Sequence, residues 1–504
     1  MKRRTFLQFA RAAALVKVAG PEASNSLGSA PRGSPVETLS PSPPEIINIY
    51  SPDDHRRRLQ NLAICERAIR KCLRRHLITD YLPGQSNYNL GEYPCRKVWD
   101  PDDWDERELD RLRGHGIQLV QVHDEWNDSL RLYGGDKFTP VNPAGFRRFV
   151  QMVHSRGMKL IVYASSGFFE RPDPDFRPEW ARNQDLVEAY WHLAECSPAS
   201  PGWRAYVYPH LVRIMDDYGV DGLFDDLGYR ALAKNPYPPT SDEVLAFPES
   251  GSHDGALEDL LRLLYAEIKR RGGILKVHYG GATRPGTDLK VYDYLWVGEG
   301  IRHGDELREA TKNHPPYVVP CLDMSRAKIE NEDELYLHSI PYLQFPYLLA
   351  GRPFTGERAM IPGIQYPPEE KDFWTQHCRK IWRYYQAHPD GPYTYDWHDA
   401  VPGRPEARPT HARWLKHYMS MVEEGTWAWL EIHESDLFPH PLPQEVVASA
   451  FANREIYLVL ANYGHAPVEV ATSDTYVQAQ GPPETRRLWK LAPRSLHILR
   501  RRML

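Results

Sequence analysis

Between residues 76 and 349 the chain repeats one pattern eight times, a short apolar run followed in most cases by a longer amphipathic stretch. Parallel strands cannot be joined by a tight hairpin and need a long crossover, so this alternation predicts parallel strands separated by helices. The eight runs are HLITDYL (76–82), GIQLVQVHDEW (116–126), MKLIVYASSGF (158–168), VDGLFDD (220–226), ILKVHYG (274–280), YDYLWVGE (292–299), YVVPCLD (317–323) and YLQFPYLL (342–349). The helical segments include DERELDRLRGHG, PAGFRRFVQMVHSRG, WRAYVYPHLVRIMDDYG and ALEDLLRLLYAEIKRRGG, each ending in a glycine placed to cap it. Eight such units over roughly 370 residues predict an α/β chain whose main domain is a (β/α)8 TIM barrel. An open doubly wound sheet is disfavoured, because no G-x-G-x-x-G follows the first run.

From about Pro443 the pattern changes to VVASAFAN, REIYLVLANYG, VEVAT, RRLWKLA and SLHILRR, short runs separated by turn residues. That predicts a small C-terminal antiparallel β-sandwich. The expected organisation is a barrel over 46–425 and a sandwich over 426–504, with no internal repeat. At the other end, MKRRTFLQFARAAALVKVAG sets the pair Arg3-Arg4 ahead of a weakly apolar run, the form of a twin-arginine export signal. Residues 1–30 are read as that signal and the Pro/Ser-rich 31–45 as a linker, so a periplasmic or secreted protein is expected. No later segment reaches the roughly 20 apolar residues of a membrane span.

Composition narrows the partners. With 62 basic against 67 acidic residues the formal charge is -5, and no long basic run is present, which argues against nucleic acid. The 14 Trp and 29 Tyr offer flat faces for sugar rings as well as for an ordinary core. The six cysteines, Cys65, Cys72, Cys95, Cys196, Cys321 and Cys378, form no C-x-x-C pair and no zinc spacing. Cys65 and Cys72 are expected in one helix, unbonded.

In a barrel, reactive groups lie at the C-terminal ends of strands. Asp80, His123, Asp124, Glu125, Asp225, Asp226, His278, Glu299 and Asp323 all fall at such ends. Along the fourth run side chains alternate, so Gly222, Phe224 and Asp226 share one face while Asp221, Leu223 and Asp225 share the other. Only one of the two adjacent acids can enter the barrel mouth, and Gly228 lets the chain turn away directly afterwards.

DGLFDD resembles the fourth-strand motif of retaining glycoside hydrolases with barrel domains, in the broad α-galactosidase, α-glucosidase and α-amylase superfamily. The preceding ECSPASPGWRAYVYPHL (195–211) is similar to the segment that leads into that strand in the same enzymes. The motif starts with an Asp-Gly pair and carries the nucleophilic carboxylate five positions after the Asp, so the resemblance implies that Asp226 is the nucleophile. Phe224 stands where members of these families often carry Lys, Arg or Trp. The acid/base partner is assigned to Glu299, between Gly298 and Gly300 at the end of the sixth run, where partial burial would raise its pKa toward that of a proton donor. A retaining pair stands about 5 to 5.5 Å apart and an inverting pair roughly 6.5 to 9.5 Å apart.

The remaining candidates are read as sugar ligands: Asp80, His123, Asp124, Glu125, Trp126, Asp225, His278 and Asp323. Each has a plainer reading, a helix cap for Asp226, a cap or loop hydrogen bond for Asp225, a structural hydrogen bond for Glu299 and a surface loop for His123 to Trp126. The function expected is an exported glycosidase acting on an oligo- or polysaccharide with no cofactor or metal. The alternatives are a non-catalytic carbohydrate-binding barrel, which the Phe224 departure favours, or a metal-dependent hydrolase or deacetylase using His123, Asp124 and His278.

Overall fold

In the computed structural model the described residues are 50–91, 98–181, 193–227, 253–279, 291–297, 303–314, 317–320, 333–352, 407–479 and 484–502. All the elements below lie in one compact unit, Pro52–Leu504. It opens with helix α1 (Pro52–Ala68) and strand β1 (Ile69–Leu77). The parallel sheet then takes β2 (Gln85–Asn89), β3 (Leu119–Val122) and β4 (Lys159–Ala164), followed by a short antiparallel pair, β5 (Phe168–Glu170) and β6 (Leu193–Glu195). It resumes with β7 (Gly222–Asp226), β8 (Ile274–Tyr279), β9 (Tyr294–Val297), β10 (Val318–Pro320) and β11 (Leu348–Gly351). These eight parallel strands lie in chain order, and the last, β11, returns to pair with the first, β2, which is the cyclic arrangement of a (β/α)8 barrel.

Helices α2 (Asp103–Gly114), α3 (Pro143–His154), α4 (Pro201–Tyr218), α5 (His253–Arg270), α6 (Gly304–Thr311), α7 (Asp333–Leu337) and α8 (Ala407–Met421) follow in order. Their ends are written locally. Asp102 and Asp105 form a capping box on α2, Asn142 caps α3 ahead of Pro143, and Ser200 caps α4, which Gly219 closes in the left-handed conformation. On α3 the residues Phe146, Phe149, Val150 and Val153 form the buried stripe that lays the helix on the barrel.

The first barrel strand is not the run 76–82. His76 and Leu77 end β1, which pairs antiparallel with β12 (Trp427–Ser435), and 78–84 form a strap to β2. In the strap, Tyr81 stacks on Tyr317 at 4.6 Å and Tyr294 donates to the Asp80 carbonyl, so the apolar residues plug the barrel floor. The true strand, QSNYN, is polar yet wholly buried: Tyr88 donates outward to Asp105 of α2 and Gln85 accepts inward from Lys276. Hydrophobic patterning has no purchase on such a strand.

The rest of the antiparallel sheet is β13 (Val446–Ala452), β14 (Ile456–Asn462), β15 (Val468–Gln478), β16 (Thr485–Leu491) and β17 (Ser495–Arg501), in the order β1-β12-β13-β14-β17-β15-β16. Trp429, Ile432 and Ala450 pack against Trp489, Leu491 and Tyr476 from the far end of the sheet, so it folds over itself as a sandwich, while Ala428, Leu430, Phe451 and Ile498 join the barrel core. The sandwich therefore takes α1 and β1 from ahead of the barrel, which moves the expected start of the barrel past 46. Cys65 is in α1 but Cys72 is in β1, and both are free thiols.

Candidate active site

The fourth barrel strand is set by Asp221, just ahead of it, and by Gly222, its first residue. Asp221 Oδ2 accepts the Leu160 amide at 2.8 Å and lies 2.7 Å from His154 Nε2, locking the strand entry against α3 and β4. Gly222 (φ +154°) follows, and a Cβ there would sit 1.9 Å from the Ile274 carbonyl oxygen, so only glycine lets β7 pair with β8. From this point side chains alternate. The Phe224 ring enters the barrel among His123 (5.1 Å), Trp296 (5.7 Å), His278 (6.1 Å) and Tyr163 (6.2 Å). Asp226, two residues on, rises above that layer.

Asp226 is the open end of this stack. His278 Nδ1 lies 3.2 Å from its Oδ1 and the Tyr163 hydroxyl donates to Oδ2 at 3.3 Å. Its side chain is 21% exposed and that of His278 12%, enough for a ligand to reach both. Burial works to raise its pKa, but the His278 hydrogen bond and charge and the Tyr163 hydroxyl together outweigh it and hold the carboxyl below its ordinary value. Asp226 is thus an anion at neutral pH.

His123 lies beneath it rather than beside a ligand, being 2% exposed. Burial pushes its pKa down to about 3, so the ring is neutral. The Gln121 side-chain amide lies 3.2 Å from His123 Nε2 and shares a hydrogen bond with it.

Asp225 points the other way. It is fully buried and accepts the Ser166 amide and the Ser166 hydroxyl, both at 2.8 Å. Burial raises its pKa to about 7 against those hydrogen bonds, with the Asp226 charge adding to the rise. It cannot touch a substrate, which corrects its place among the sugar ligands.

The other expected ligands divide. Asp80 is at the wrong end: its backbone amide donates to Glu424 and its carbonyl accepts from Tyr294 at the start of β9, so it belongs to the barrel floor. Glu125 is buried and takes the Leu90 amide at 3.1 Å, a brace between the ends of β2 and β3. Trp126 is 1% exposed, donates to the Tyr163 carbonyl at 2.8 Å and packs on Phe146, so it is core rather than a stacking platform. Asp124 is half-buried in the turn after β3. Glu299 and Asp323 lie outside the described residues. Among the described residues no three His, Cys, Asp or Glu side chains converge as metal ligands.

Three contributors were not singled out from sequence. Tyr163 and Trp296 share the inward faces of β4 and β9, a position that strand alternation alone predicts. Lys276, two residues before His278, is a buried cation 3.1 Å from Gln85 Oε1 and 5.1 Å from the centre of the Tyr347 ring. The serines that follow β4 carry no such periodic signal.

No protein-family model matches the sequence, and no curated protein does. Among solved structures, a maltogenic α-amylase from Thermotoga neapolitana aligns over 84% of this chain and 100% of its own, at 11% identity and a TM-score of 0.47. The trehalulose synthase of Pseudomonas mesoacidophila aligns over 83% of this chain and 99% of its own, at 11% identity and 0.49. An α-galactosidase from Geobacillus stearothermophilus aligns over 82% of this chain and 55% of its own, at 10% identity and 0.45. Values this low transfer nothing from those proteins to this one. The cyclic order of its own strands is what makes this chain a barrel.

Proposed function

We propose that this chain is a glycoside hydrolase of the two-carboxylate kind, with Asp226 as nucleophile and Glu299 as acid/base. The observation that carries the reading is the ionised, partly open Asp226 carboxylate at the C-terminal end of the fourth barrel strand, held by His278 and Tyr163. A nucleophile must stay unprotonated at working pH, and the depressed pKa of Asp226 meets that need. In the retaining course Asp226 attacks the anomeric carbon while Glu299 protonates the departing oxygen; water then enters with Glu299 as base. The substrate class is an oligo- or polysaccharide. The Arg3-Arg4 pair supports export to the periplasm or beyond, and replacing both with Lys in a reporter fusion should stop it.

The test is a panel of aryl glycosides. Asp226→Asn should fold and bind as the wild type does but lose turnover by about 10³-fold or more. Wild-type rates in that variant would remove the assignment, and the anomeric configuration of the first product distinguishes retention from inversion. A second reading, a sugar-binding barrel without chemistry, draws on the closed aromatic layer around Phe224 beneath Asp226. Saturable sugar binding with no turnover across the panel would favour it.

A further inference from the structure

The end of β4 grips the acid pair at more points than ending a strand requires. The last backbone register pair between the two strands is Ala164 with Asp225. Beyond it side chains take over. The Ser165 hydroxyl donates to the Asp226 carbonyl at 2.7 Å and accepts the amides of Gly167 (3.2 Å) and Phe168 (2.7 Å). Ser166 gives its amide and hydroxyl to the two oxygens of Asp225, and its carbonyl takes the Trp203 indole N–H at 2.8 Å, tying the loop to the first turn of α4. Ser165, Ser166, Asp225 and Trp203 are all buried.

Asp225 is the unexpected member. A buried carboxyl without a cation is unfavourable, and among the described residues Asp225 forms no ion pair. It also sits one peptide unit from a second carboxylate. An amide or hydroxyl would satisfy Ser166 with nothing to ionise.

We propose that Ser165, Ser166 and Asp225 are positioning residues that hold the Asp226 carboxylate against His278 and Tyr163, and that this brace works with Asp225 protonated. The inference rests on the reading of Asp226 as the nucleophile. With the proton on, Asp225 donates to the Ser166 oxygen and Asp226 is the one anion of the pair. With it off, a second buried negative charge stands behind the nucleophile. The charged and titratable groups around the pair are Asp226 on the same strand, His278 and Lys276 of β8, His123 of β3 and Tyr163 of β4, while α4 presents the neutral Trp203. The raised pKa of Asp225 accords with this arrangement.

The test uses the full chain and a dinitrophenyl glycoside, whose leaving group needs no proton, so that Glu299 drops out of kcat/KM. Ser165→Ala and Ser166→Ala should lower kcat by roughly 10- to 100-fold with KM within about twofold, since a nucleophile displaced by about 1 Å loses rate rather than binding. Ser165→Thr, which keeps the hydroxyl, should recover most of that loss. Wild-type kcat/KM should fall as pH rises through about 7, and Asp225→Asn should abolish that limb. Unchanged kcat in both alanine variants, or an unaltered limb in Asp225→Asn, overturns the brace. If the wild type cleaves no glycoside, the functional reading fails separately. The brace is then judged by carboxyl-carbon NMR, where the Asp226 titration midpoint should rise toward the ordinary aspartate value in the alanine variants, and an unmoved midpoint refutes it. Should Ser165→Ala not fold, Ser166→Ala and Trp203→Phe supply the same measurement.

Discussion

Replacing Asp225 with Asn should change how stability depends on pH far more than it changes stability near pH 4. In the folded chain burial raises the Asp225 pKa from 3.8 to about 7. The native state therefore binds more protons than the unfolded chain across that window, and stability falls as pH rises through it. At about 1.4 kcal/mol for each pH unit, a rise of about three units makes ionisation cost roughly 4 kcal/mol once the pH exceeds about 7. Asn cannot ionise, yet it reproduces the protonated pattern, its oxygen accepting the Ser166 amide and its NH2 donating to the Ser166 hydroxyl oxygen. The variant should lie within about 1 kcal/mol of wild type near pH 4, gain on it steadily up to about pH 7 and hold a constant lead beyond that. His123 acts in the opposite sense, since its pKa, lowered to about 3, makes stability rise with pH up to its ordinary value of 6.5. That contribution is common to both proteins and cancels in the difference. Asp226, with its lowered pKa, affects stability below its ordinary 3.8, outside the window. Urea unfolding of both proteins across about pH 4 to 8 measures the difference directly. Parallel curves would show that Asp225 is ionised throughout and would refute the placement of its proton.

Tyr163→Phe removes one donor from Asp226, at a long 3.3 Å, so kcat/KM should drop by about 3- to 10-fold and the acid limb of its pH profile should move upward. Lys137 and Glu170 form a buried pair with both carboxylate oxygens at 2.9 Å, joining the loop after β3 to β5. Lys137→Met should cost about 3 to 5 kcal/mol in urea unfolding, and adding Glu170→Leu should recover much of it, because the damage is the stranded charge. Gly222→Ala sets a methyl 1.9 Å from the Ile274 carbonyl oxygen and should lose soluble protein or more than about 3 kcal/mol of stability. A well-folded, stable variant would mean that β7 and β8 are not paired as described.

Local chemistry settled a good deal before any coordinates. The spacing of apolar runs and capping residues determined the strand-helix alternation, and helices α2 to α5 lie within a few residues of the segments read from periodicity. The period of two in DGLFDD determined that Asp226 and Asp225 face opposite ways, because neighbouring side chains on a strand must. What the chain could not declare is which distant groups meet. The first barrel strand, Gln85–Asn89, is polar, and its Gln85 meets Lys276, 191 residues on, a partner that no local pattern records. Asp80 looked like a strand end until β1 paired with β12 and left it on the barrel floor. Trp126 is as aromatic in a core as on a sugar-binding wall, and only packing on Phe146 distinguishes the two. The hold of Ser165 and Ser166 on the acid pair spans about 60 residues, a contact that exists only once β4 and β7 lie side by side. Alternation and capping are short-range and can be read along the chain, whereas burial, charge and hydrogen-bond choice depend on neighbours that the tertiary fold supplies.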